Sequence, residues 1–89
     1  MKAESILNTK AKAFALRIVK LFRYLKERKE SVIAKQVLRS GTSIGANVAE
    51  AIYAESNEGF IHKLKISRKE ANETSYWLKL LFRTDKLSA

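Results

Sequence analysis

The chain has no proline and no cysteine, glycine occurs three times and histidine once in 89 residues. Without proline, no residue here forbids a helix outright. The abundant Ala, Leu, Ile, Lys and Glu favour helix over sheet. Without cysteine there is no disulfide frame and no thiolate metal site, which fits a reducing, cytoplasmic setting. No apolar run approaches the roughly 18 residues of a membrane span, and "MKAESILNTK" lacks the apolar core of a signal peptide. A single domain over residues 1–89 is expected. A chain this short buries only about 60–65% of its unfolded surface, so self-association would extend a thin core.

Acidic residues are also scarce, nine Asp and Glu against 18 Lys and Arg, for a formal charge of +9. Such an excess attracts polyanions but does not specify a fold. It is unevenly spread. Residues 1–29 carry nine Lys or Arg against Glu4 and Glu27, whereas the charged residues between 50 and 58 are Glu50, Glu55 and Glu58.

What the chain does contain is helical period. From about residue 8 to 28, Leu7, Ala11, Phe14, Ile18, Leu21, Phe22 and Leu25 share one face at 100° per residue. Opposite them lie Lys10, Lys12, Arg17, Lys20, Arg23 and Arg28. The pattern breaks at "ERKES", where Ser31 is placed to cap the next helix. That helix, about 32–54, has Ile33, Val37, Gly41, Ile44, Val48 and Ile52 on one face, with Gly45 beside them. "ESNEG" then offers Ser56 or Asn57 as a cap. A third helix, about 57–82, lines Phe60, Leu64, Ser67, Ala71, Thr74, Leu78 and Phe82 along one face, flanked by Ile66 and Trp77. Ser88 would cap a fourth helix, of which this sequence holds only Ala89. Three long amphipathic helices on short connections predict an all-α, up-down antiparallel bundle.

The stretch "RSGTSIGANVAEA", residues 39–51, decides between three architectures. A phosphate loop needs a preceding strand and a glycine leading into Lys-Ser/Thr, yet Ala46 follows Gly45. A helix-turn-helix would make residues 44–55 the recognition helix, which holds Asn47, Glu50 and Glu55 and no cation, a poor match to a phosphate-lined groove. In the third reading the helix is unbroken, and Gly41 and Gly45, one turn apart, let a neighbouring helix come close. Each glycine then costs roughly 1 kcal/mol of helix propensity. The apolar period passes through both glycines unchanged, which favours the third reading.

A second stripe on this helix, Gln36, Ser40, Ser43, Asn47, Glu50 and Ala54, has coiled-coil seam spacing with polar occupants. It is either a solvated face or a polar seam between subunits. Arg39 and Glu50 lie nearly on one line and could meet charged partners on neighbouring helices. Glu70 falls within the arc of Ile66, Thr74 and Trp77. Half-buried there, it needs a partner, and Arg39 is the expected one.

Little in the sequence suggests catalysis. His62 stands alone, no histidine or carboxylate cluster offers metal-ligand spacing, and Ser40, Ser43, Ser67 and Ser75 have no evident base. No catalytic, cofactor-binding or metal-binding residue is expected, hence no enzyme. The basic back of the first helix, Lys10, Lys12, Arg17, Lys20, Arg23 and Arg28 with Leu16 and Tyr24 interleaved, is either an ordinary solvated face or a backbone-directed, salt-sensitive nucleic-acid surface.

The segments "FALRIVKLFRYL", "KQVLRSGTSIGANVAEA" and "FIHKLKISRKEANETSYWLKLL" resemble the bacterial 23S ribosomal RNA intervening-sequence proteins, over about Lys10 to Phe82. The resemblance implies an up-down four-helix bundle assembled as a homopentamer, with no catalytic residues. The related accessory proteins of diversity-generating retroelements are basic pentamers that bind nucleic acid and a reverse transcriptase. The family's recurring Arg, Ser, Asn and Glu positions match Arg39, Ser43, Asn47 and Glu50, with Glu70 in "KEANET". This sequence stops where the family's fourth helix would begin, so that helix is expected to be missing. Either the chain is a truncated form or another subunit fills the groove. The leading expectation is a self-associating bundle presenting a basic surface to RNA or DNA. The alternative is a structural or protein-binding adaptor.

Overall fold

The computed structural model describes residues 2–83, with side chains at 6–81 and 83. Three helices follow one another, α1 (Lys2–Glu27), α2 (Val32–Ile52) and α3 (Asn57–Arg83), in a body about 43 Å long and 19 Å across. The expected Ser88 cap and the Phe82 side chain lie outside the described residues. α1 starts six residues earlier than its apolar stripe suggests. The reason is that "KAESILN" holds good helix formers and nothing that stops a helix. α2 stops two residues sooner than expected, at Ile52, where Tyr53 and Ala54 turn the chain.

α2 is unbroken through both glycines, so the helix-turn-helix alternative is excluded. It occupies the centre. α1 and α3 pack on it from two sides, and among the described residues their Cα atoms come no closer to each other than 8 Å. Gly41 lies against Ile18 and Gly45 against Ala11, so α1 runs antiparallel to α2. Ser40 meets Thr74, Ile44 meets Ser67 and Glu50 meets Lys63, so α3 is antiparallel too. The core gathers Ile18, Leu25, Ala34, Val37 and Leu81, with Phe22, Ile33, Leu38, Trp77 and Leu78 packed around them.

The connections use different local chemistry. α1 ends with Lys29 in the left-handed region at φ 62°, where the Glu30 N–H reaches the Leu25 carbonyl (2.9 Å) and the Lys29 N–H reaches Lys26 (3.0 Å). This is a Schellman ending with lysine where glycine is usual. Ser56 caps α3, its Oγ accepting the Gly59 N–H at 3.0 Å, which settles the choice between Ser56 and Asn57. Ser31 stands at the N-cap of α2 with helical φ −99° and ψ −35° in place of the extended backbone of a capping residue, and it makes no side-chain cap bond.

Two residues expected on the buried face of α1 are not buried. Leu7 is 41% and Phe14 37% exposed, while Ala11, Ile18 and Leu25 are buried. Phe14 stands about 40° off the line of Ile18 and is left partly uncovered, whereas Leu7 shares the azimuth of buried Leu25 and is exposed near the opposite end of α1.

Candidate functional site

Part of the polar stripe of α2 is covered within the chain, while Glu50 stays exposed. Ser40 is fully buried inside the chain, and Asn47 is buried as well. Thr74 Oγ1 lies 2.8 Å from Ser40 Oγ and 2.8 Å from the Glu70 carbonyl oxygen. A carbonyl only accepts, so Thr74's one proton satisfies it and Ser40's proton completes the chain of bonds. Lower down, Ser67 Oγ donates to the Ile44 carbonyl at 2.9 Å. Asn47 Nδ2 donates to the Ser43 carbonyl at 2.9 Å and to Ser43 Oγ at 3.2 Å, holding Ser43 and Asn47 together one turn apart. Short hydroxyls here allow close helix contact while each buried polar atom keeps a partner.

Arg39 anchors the other end of the seam. Its Nη1 lies 3.4 Å from Glu70 Oε2, its Nη2 bonds Glu73 Oε2, and its Nε donates to Gln36 Oε1 at 3.4 Å. Trp77 Nε1 also donates to Glu73 Oε2, at 3.0 Å. Glu70 is half-buried and paired with Arg39, as its position in the sequence implied. Glu73 was not foreseen. The signal for it was present, because it stands three residues past Glu70 and four before Trp77, the spacing of facing side chains on a helix. Glu50, nearly in line with Arg39, meets Lys63 at 3.4 Å, so both charges find opposite partners on α3. Gly41, Gly45, Arg39, Ser43, Asn47, Glu50, Glu70 and Trp77 are thus gathered along the two sides of α2.

The cations of α1 are elsewhere. Lys10, Lys12, Arg17, Lys20, Arg23 and Arg28 are all exposed. Ion pairs among the described residues do not involve Arg17, Lys20 or Arg23. Arg28 rests over the ring of Tyr24, its Cζ 5.4 Å from the centroid. At 100° per residue these side chains span an arc of roughly 160°, with Lys10, Arg17, Tyr24 and Arg28 within about 40° of one another. His62 is exposed. Among the described residues no three His, Asp or Glu side chains cluster to hold a metal ion, and no helix is long and apolar enough to cross a membrane.

An antiparallel, all-helical bundle with a slim steric seam and a polar seam is the class this architecture defines. The family model for the 23S rRNA-intervening sequence protein matches residues 3–89, and the chain belongs to that family. A crystal structure of a protein with unknown function from the S23 ribosomal protein family of Bacteroides thetaiotaomicron is similar at a TM-score of 0.93. It is 54% identical, over 99% of this chain and 79% of that one. No curated protein matches.

Proposed function

We propose that this protein is a non-enzymatic, cytoplasmic, self-associating bundle that binds the phosphate backbone of RNA or DNA through the outer face of α1. The observation that carries this reading is the exposure of Arg17, Lys20 and Arg23 on a helix where Glu27 is the sole acid between Ile6 and Lys29. Cations spread over a broad arc neutralise phosphates without reading bases. Membership of a family named for an rRNA intervening sequence is in keeping with a polyanionic partner.

Filter binding across salt concentrations tests the charge. Affinity should fall log-linearly with salt, by a slope of about −0.7 to −0.9 per phosphate neutralised. The triple variant R17E/K20E/R23E should lose binding with its helicity intact, and unchanged affinity rejects the surface. Light scattering tests association, where a monodisperse monomer removes that part of the proposal.

The exposed Leu7 and Phe14 support a second reading, an adaptor for another protein whose charge serves solubility. It predicts no binding of nucleic acid even at low salt.

A further inference from the structure

Tyr24 is 46% exposed in the midst of the α1 cations, and the arrangement around it is more specific than charge alone requires. One face of its ring is occupied by the guanidinium of Arg28, 5.4 Å from the centroid. Arg17 stands seven residues before it on the same stripe, and Lys10 seven before that. At 1.5 Å per residue, successive members of that stripe are about 10 Å apart along the helix axis. A cation on one ring face restrains the ring; Tyr24 keeps nearly half its surface exposed, with exposed Lys20 one turn before it and Glu27 the acid one turn after it. An aromatic surface flanked by cations suits the stacking of an unpaired base while neighbouring cations hold its backbone. In a duplex the bases are already stacked on one another and their faces are not offered.

We infer that Tyr24, braced by Arg28, is a stacking platform for an unpaired nucleobase, so that the α1 surface takes single-stranded nucleic acid in preference to duplex. This rests on the charge reading above and adds a ligand class to it. Stacking uses the base face and not the 2′-hydroxyl, so RNA and DNA single strands share the chemistry.

The test is fluorescence anisotropy at low salt with four labelled ligands: one sequence as single-stranded RNA, as single-stranded DNA and as duplex DNA, and an abasic strand of equal length. The full chain is compared with Y24A and Y24F, each checked by circular dichroism for unchanged helicity. Y24A should weaken both base-bearing single strands at least about five-fold, and leave the duplex and the abasic strand within about two-fold. Y24F, which keeps the ring, should bind as the parent does. A loss confined to RNA or to DNA supports the platform and names the strand. If Y24A binds single strands like the parent, or weakens the duplex and abasic strand equally, the platform is wrong and the charge reading survives. If the parent binds none of the four, both fall.

Discussion

On one side of α2, Gly41 and Gly45 face Ile18 and Ala11 of α1. On the other, Ser40, Ile44, Arg39 and Glu50 meet Thr74, Ser67, Glu70, Glu73 and Lys63 of α3. The first seam works by removing atoms, so that another helix can sit in the space a side chain would fill. The second works by matching donors with acceptors. The two therefore fail differently. The steric seam is hurt by what is added at Gly41, whereas the polar seam is hurt by what is left unpaired.

The largest effect should come from filling the steric seam. A Cβ built on Gly41 would stand 2.8 Å from Ile18 Cγ2 and 2.9 Å from its Cγ1, and Ile18 is itself buried. Gly41→Leu adds a whole side chain to that space and should cost about 3 kcal/mol or more. For a domain of this size that lowers the melting temperature by more than about 12 °C. At Gly45 the same Cβ would lie 3.4 Å from the Ala11 carbonyl oxygen, an ordinary contact. Gly45→Ala should instead raise stability by up to about 1 kcal/mol through helix propensity. Thermal melts followed by circular dichroism separate the pair. Equal losses at both positions would mean the close approach is not centred on Ile18.

The polar seam should break more gently and in a non-additive way. Thr74→Val removes the hydroxyl beside fully buried Ser40 and should cost about 1–3 kcal/mol. Ser40→Ala leaves Thr74 its bond to the Glu70 carbonyl and should cost less. The double variant should cost less than the two singles together, because no orphan hydroxyl remains. Urea titrations of all four proteins give the coupling directly. Strict additivity would show that the two hydroxyls do not support one another.

The sequence revealed these two seams unequally. The steric one was legible because a helical period that runs through two glycines without a change of phase has few other meanings. The polar stripe was legible as a stripe, but periodicity locates a face and not what covers it. Ser40 and Asn47 therefore read equally well as solvated or as facing another subunit. The same limit misplaced Leu7 and Phe14, because a shared face does not say how far along the helix the cover extends: Leu7 has the azimuth of buried Leu25. Leu81, fully buried, was passed over although it follows Thr74 by seven residues on the same face. Arg39 with Glu70 was found because a half-buried carboxylate must have a partner. Glu73 was not, since its spacing from Glu70 and Trp77 marks a shared face without requiring a partner.

Within the polar seam the two charged contacts should also differ, and this is the finest test of what burial adds. Glu70 retains 16% of its side-chain exposure beside Arg39, whereas Glu50 retains 58% beside Lys63. Water screens the outer pair almost fully, so Glu50→Ala should cost no more than about 0.5 kcal/mol, and that difference should vanish in high salt. Arg39 is itself half exposed, which limits its worth, but its loss also strips partners from Glu70 and Glu73. Arg39→Ala should cost about 1 kcal/mol and keep most of that cost in high salt, because removing the cation leaves a partly desolvated carboxylate behind. Urea titrations at low and high salt measure both. Equal salt sensitivity at the two positions would make Arg39 an ordinary surface contact and leave the hydroxyls as the only specific part of the seam.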